Sequence, residues 1–172
     1  GSYDFYVVKT DANGDTLWSN TYGGSNWEQA LGITETNSGG YALTGYTQSY
    51  GAGNKDMYVV VLNSGGDVVW DKTYGGTGDD LGNSIDQTTD GGFIMLGESK
   101  SFTGTDQDIY VVRVDADGDT LWTRTYGGTG TDIGNTIQEC GDGGFIIVGE
   151  TSSYGAGGSD VYLIKTDLNG TV

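Results

Sequence analysis

Residues 56–76 read DMYVVVLNSGGDVVWDKTYGG, a segment whose pattern occurs three times along the chain. Residues 4–24 (DFYVVKTDANGDTLWSNTYGG) and 108–128 (DIYVVRVDADGDTLWTRTYGG) repeat it, and 160–170 (DVYLIKTDLNG) begins it again. The interval is 52 residues each time, with no insertion or deletion. Trp18, Trp70 and Trp122 keep one phase, and so do Tyr22, Tyr74 and Tyr126, each followed by Gly-Gly. The rest of the unit recurs too: LGNSIDQTTDGGFIMLGES from Leu81 answers IGNTIQECGDGGFIIVGET from Ile133. A fixed period of this length marks stacked supersecondary units. The chain divides into a partial unit at 4–24, full units at 28–76 and 80–128, and a partial unit at 132–170.

Within a unit every local signal is β. The run Asp-x-Tyr-Val-Val is rich in β-branched and aromatic residues and ends at Asn13-Gly14, Gly65-Gly66 or Asp117-Gly118. Such dipeptides tolerate positive φ and close tight hairpins. The tryptophan strand follows. A third strand passes Ile33, Ile85 or Ile137 and turns at Gly39-Gly40, Gly91-Gly92 or Gly143-Gly144; a fourth is YALTGY, FIMLGE or FIIVGE. Tyr58–Leu62 and Phe145–Val148 are apolar at consecutive positions, as expected of strands covered on both faces. Four-stranded sheets repeated at this spacing and stacked face to face predict an all-β chain, a β-propeller of four-stranded antiparallel blades with about three blades per chain. A β-solenoid needs a shorter rung, and the calcium-nonapeptide echo at Gly75–Asp80 appears once per unit rather than in tandem.

Composition narrows the function. The 172 residues include 33 Gly and no Pro, and 24 acidic against 7 basic residues give a formal charge of −17. So acidic a surface disfavours nucleic acid and anionic lipid as partners. With no histidine, Ser–His–Asp and Cys–His catalysis and imidazole metal ligation are excluded. The single Cys140 excludes an internal disulfide and, standing where Thr36 and Thr88 do, is expected to be a buried small residue. No run approaches the ~18–20 apolar residues of a membrane-spanning helix, so no membrane insertion is expected. Gly1-Ser2 reads as a cloning remnant, with residues 1–3 an N-terminal tail.

The motifs D-x-Y-[VL]-[VI]-x-x-D-x-x-G, W-x-x-T-Y-G-G and D-G-G-[FY]-I, spread over the whole chain, resemble the secreted bacterial β-propeller repeats of the SBBP type, relatives of the NHL and PQQ-like propellers. The resemblance implies an innermost strand starting near Leu31, Asn83 and Asn135, and the tryptophan strand outermost. It also implies a non-enzymatic module of a secreted or cell-surface protein. By that order the chain holds about three blades, too few to close a ring. It is then a piece of a longer array, a head-to-tail fibre former, or a homodimer in which two chains share blades to make six. Asp4-Tyr6-Val8 and Asp160-Tyr162-Ile164 are copies competing for one place.

Two sets of carboxylates are candidate sites. Asp11, Asn13 and Asp15, like Asp115, Asp117 and Asp119, put oxygen ligands at alternate residues as a calcium loop does; no cofactor is required, and Ca²⁺ is a metal these loops could take. Neither has the downstream bidentate Glu, and the plainer reading is a capped hairpin turn. The spacing D-x-x-G-x-x-x-W also departs from the Asp-box of sialidases. Glu28, Asp80 and Asp132 precede the innermost strand and would ring one mouth of a central channel, attracting cations. Asp4, Asp56, Asp108 and Asp160 are expected to be loop caps. Lys9, Arg113 and Lys165 are expected to pair with carboxylates.

Trp18, Trp70, Trp122, Tyr22, Tyr74 and Tyr126 recur and are expected to pack between blades. Trp27 stands alone, with Asp79 and Thr131 in its place elsewhere, and is the candidate ligand contact. Three functions follow: a non-enzymatic scaffold that assembles with itself or presents loops to protein or glycan, a calcium-dependent lectin-like binder, and a glycosidase using carboxylates alone. The last needs a pair that breaks the repeat, because a catalytic pair is a single site.

Overall fold

The computed structural model describes residues 3–102, 104 and 106–172. The Gly1-Ser2 start lies outside them. Thirteen strands are described and no helix accompanies them among the described residues. They are β1 (Phe5–Thr10), β2 (Thr16–Tyr22), β3 (Glu28–Glu35), β4 (Tyr41–Thr47), β5 (Asp56–Leu62), β6 (Val68–Tyr74) and β7 (Asp80–Gln87). β8 (Phe93–Ser99), β9 (Asp108–Val114), β10 (Thr120–Tyr126), β11 (Asp132–Glu139), β12 (Phe145–Thr151) and β13 (Asp160–Lys165) follow. They form four antiparallel sheets in simple meander order: β1-β2, β3-β4-β5-β6, β7-β8-β9-β10 and β11-β12-β13. The sheets thus coincide with the repeat units, and each tryptophan strand lies at the edge of its sheet.

The hairpin between β5 and β6 explains the Asn/Asp-x-x-Gly turn. Asn63 N–H donates to the Asp67 carbonyl at 2.9 Å, and Gly66 N–H to the Asn63 carbonyl at 3.1 Å. Gly66 sits at φ 86°, a conformation that costs glycine little and a side-chain residue more. The Asn63 side-chain oxygen accepts from Gly65 N–H at 2.8 Å and Asp67 N–H at 3.0 Å. Asp11, Asp115 and Asp167 do the same in their turns.

The first strand of the two full units and of the last, partial one starts earlier than expected, at Glu28, Asp80 and Asp132. Its first N–H reaches across to the preceding sheet: Glu28 to the Tyr3 carbonyl at 2.8 Å, Asp80 to Lys55 at 2.9 Å and Asp132 to Gln107 at 2.7 Å. These bonds hold polar residues extended where no apolar pattern announced a strand. Tyr3, counted with the tail, therefore belongs to the folded structure and forms a bridge with Trp27.

The core lies between sheets. Phe5 and Val7 pack on Leu43, Tyr58, Val60 and Leu62. Ala42, Met57, Val59 and Val61 pack on Ile85, Phe93, Met95, Tyr110, Val112 and Val114. Ile94, Leu96, Ile109 and Val111 pack on Ile137, Phe145, Ile147 and Ile164. β5 and β9 are buried along their whole length, as covering on both faces requires. Each such aliphatic side chain contributes about 1.5–3 kcal/mol relative to exposure. β3, β7 and β11 contact one another in succession, so the sheets stack with these strands side by side.

Candidate functional site

Glu28, Asp80 and Asp132 are buried, and their carboxylates turn into the structure rather than toward solvent. Glu28 accepts from the Thr47 hydroxyl at 2.7 Å and Gly24 N–H at 2.8 Å. Asp80 accepts from the hydroxyls of Ser99 and Ser101 and from Gly76 N–H, and Asp132 from the Ser153 hydroxyl and Gly128 N–H. Burial alone would raise the pKa of Glu28 and Asp132, but these hydrogen bonds together hold both below their ordinary values. The partner Asp of the preceding sheet crowds the same spot: a Cβ on Gly127 would lie 1.9 Å from Asp108 Oδ1 and 2.6 Å from Asp132 Oδ2.

Several of the other carboxylates are also hydrogen-bonded. Asp11 and Asp115 cap backbone N–H groups of their own turns, while Asn13, Asp15, Asp117 and Asp119 stand on the exposed rims; Asp119 pairs with Lys72 at 2.6 Å. Asp56 and Asp160 cap loop N–H groups at Gly53 and Ala156. Among the described residues no group of three or more metal-ligating side chains converges. Arg113 is buried and holds Asp90 with two contacts of 2.6 Å, Lys165 pairs with Asp142 at 3.0 Å, and Lys9 lies over the Tyr41 ring. Cys140, expected to be buried, is half-buried.

The repeated aromatics tie one sheet to the next. Tyr22, Tyr74 and Tyr126 donate their hydroxyls to the carbonyls of Gly66, Gly118 and Gly170 at 2.6, 2.8 and 2.6 Å. Trp18 and Trp70 donate Nε1–H to the carbonyls of Ser64 and Ala116, and Trp122 packs against the Gly170 turn. Each turn is thus plugged into the outer strand of the sheet before it.

Trp27 is 51% exposed and meets Tyr3 edge to face at a centroid distance of 5.0 Å. Both border a cavity of about 500 Å³ lined also by Asp4, Tyr6, Glu28, Gln29 and Tyr46. A second cavity, sharing Tyr6 and Ala30 with the first, runs along Leu31 and Ile33 beside the free edge of β1. It lies where the sheet β1-β2 lacks two inner strands.

The repeat exposes a second feature that motif reading missed. Ile33 is 58% exposed, but Ile85 and Ile137, at the same place in the next sheets, are 5% and 4% exposed. At the other end Val161 and Leu163 are 81% and 62% exposed, whereas their counterparts Ile109 and Val111 are buried. Comparing each residue with its copies 52 positions away would have found both faces. No family model matches the chain, and no curated protein does.

Proposed function

We propose that the chain is a non-enzymatic scaffold, an array of β-propeller blades that completes itself with a second copy. The observation carrying this reading is the pair of unmatched apolar end faces. Val148, Val161 and Leu163 at one end correspond to residues that inside the chain are covered by the next sheet. Ile33 at the other end corresponds to residues covered by the preceding one. Two copies, the outer strand of each completing the incomplete last sheet of the other, give a closed homodimer of six blades. Side-by-side packing of β3, β7 and β11 supports the propeller arrangement, and the inward-turned, hydrogen-bonded carboxylates support a non-catalytic role. Secretion or display at a cell surface comes from the resemblance of the repeats alone.

The test is the mass in solution by sedimentation at micromolar to tenth-millimolar chain. Twice the 18.0 kDa of one chain is expected. A monomer at every concentration overturns the reading, and an unlimited ladder of sizes replaces the ring by a fibre.

A second reading, a glycan-binding module, has one observation in its favour: the exposed Trp27–Tyr3 corner at the rim of the cavity. Aromatic faces stack on sugars, and titration of intrinsic fluorescence with a glycan panel tests it. The calcium half of that reading gains nothing from Asp11 and Asp115, whose carboxylates cap their own turns.

A further inference from the structure

On the basis of the self-assembly reading, we propose that residues 160–170, β13 and its turn, are an internal stand-in for residues 4–14 of a second copy. Association exchanges them: β1 of one copy displaces β13 of the other and pairs with its β12.

The two segments are one element of the repeat, identical at the Asp, Tyr, Lys, Thr, Asp, Asn and Gly positions. They are incomplete in complementary ways. Among the described residues, β1 carries β2 on one edge and no strand on the other, while β13 carries β12 on one edge and no strand on the other. Putting β1 of a second copy in place of β13 yields the order β11-β12-β1-β2. That is the four-stranded order of the two complete sheets.

The turns give an independent sign. A Cβ placed on Gly66, Gly118 or Gly170 meets a tryptophan ring of the preceding sheet within 3.1 Å, but one placed on Gly14 meets none of the described residues within 4 Å. The Asp11–Asp15 turn is therefore a plug without a socket. The socket of matching shape, Trp122 with Tyr126, is occupied by the 167–171 turn. Exchange docks the free turn there with the same bonds: the Gly14 carbonyl replaces that of Gly170 as acceptor for Tyr126.

The exposed faces agree. Val148 belongs to β12 and looks away from the sheet β7–β10; in the exchanged sheet it covers Ile33 of the second copy, as Leu96 packs with Ile137 inside one chain. The ladder to β12 and the plugged turn are lost and remade equally. The free edge of β1 and the cavity beside Ile33 are filled in addition, and this difference drives association. The displaced 160–170 segment becomes a free tail.

Cross-linking distinguishes exchange from simple stacking. Val148 stands directly opposite Leu163 in the β12–β13 register, and the same register puts it opposite Val7 of a second copy. Opposed residues of an antiparallel pair lie within disulfide reach. In the full chain with Cys140→Thr, as Thr36 and Thr88 fill that place, Val7→Cys with Val148→Cys is expected to give a covalent dimer on oxidation, read by mass under non-reducing conditions. Val148→Cys with Leu163→Cys is expected to close within one chain, pin β13 in its place and weaken association at least ~10-fold, with recovery on reduction. If the unmodified chain dimerises, yet the Val7→Cys, Val148→Cys variant forms no covalent dimer and the pinned variant associates unchanged, exchange is wrong and the self-assembly reading stands. A chain that is monomeric throughout overturns both.

Discussion

The hydroxyl of Tyr74 donates to the carbonyl of Gly118 at 2.8 Å and joins two sheets through residues 44 positions apart. The same bond recurs from Tyr22 to Gly66 and from Tyr126 to Gly170. Burial raises the pKa of Tyr74, and that of Tyr126 to about 12, so both phenols remain donors through ordinary conditions. The outer rim is therefore held by hydrogen bonds, while the middle of each sheet is held by apolar contact. Replacing Tyr74 by Phe keeps the ring and leaves the Gly118 carbonyl without this donor. A loss of about 1–3 kcal/mol is expected in urea unfolding, set by the buried unmet acceptor. Tyr6→Phe, at an exposed ring, is the control and should leave the midpoint in place.

A second prediction concerns Gly97 in β8. A Cβ there would come 1.7 Å from the Leu81 carbonyl oxygen, because β7 shifts register between Gly82 and Ser84 and bulges toward it. The neighbour is backbone and cannot swing aside. Gly97→Ala is expected to cost more than about 2–3 kcal/mol, the scale of an overpacked core. Gly91→Ala meets no neighbour but stands at φ 89°, so its cost is limited to about 1 kcal/mol of turn strain. Comparing the two melting temperatures separates steric from conformational demand.

These two features mark what the sequence does and does not make legible. Strand number, meander order and the hairpin turns were readable, because each rests on local pattern: Tyr58 to Leu62 for a covered strand, Asn13-Gly14 for a turn. The bulges were not, since Gly82 and Gly97 carry no pattern of their own and their close approach is a property of pairing. The tie from Tyr74 to Gly118 was readable only as a repeated aromatic, because its partner lies in another unit. For the carboxylates, position along the chain was clear and direction was not. Glu28 and Asp132 were expected at an open mouth, but serine and threonine hydroxyls from the adjoining strands draw them inside.

That inward turn fixes the acid response. The hydrogen bonds hold Glu28 and Asp132 below their ordinary pKa values, so the folded state releases these protons more readily than the unfolded state. The contribution to stability is complete above the unfolded values, near 4.5 and 3.8, and is lost as pH falls through the folded ones. Asp56 opposes them: burial raises its pKa, so protonation relieves it. Unfolding at fixed urea should therefore become easier below pH ~4.5. Glu28→Gln should flatten that dependence. An unchanged acid slope in Glu28→Gln would mean that its carboxylate does not carry the effect.

Asp90 and Arg113 make a sharper electrostatic test. Arg113 is buried with a guanidinium that also reaches the Phe93 carbonyl at 3.1 Å, whereas the Asp90 carboxylate is largely exposed. Hydrogen bonding from Thr88, more than the Arg113 charge, holds Asp90 below its ordinary pKa. Removing one partner of a fully buried pair costs about 3–5 kcal/mol; water at Asp90 lowers the expectation for Asp90→Ala to about 1–2 kcal/mol. Asp142→Ala, across from the exposed Lys165, should cost less, because water screens that pair. Equal losses in the two variants would mean that the burial of Arg113 does not matter.

Salt tests assembly without altering the chain. Each copy carries −17, so two copies meet against long-range repulsion, and the faces that meet present Ile33 and Val148 rather than opposite charges. Screening removes the repulsion: the Debye length falls from about 10 Å at 0.1 M to about 3 Å at 1 M salt. Apolar contact is not weakened by the same change. Association should therefore tighten as sodium chloride rises from about 0.1 to about 1 M, the reverse of an interface built on ion pairs. Sedimentation across that range gives the sign directly. Weaker association at high salt would mean that charged pairs, not the apolar end faces, hold the copies together.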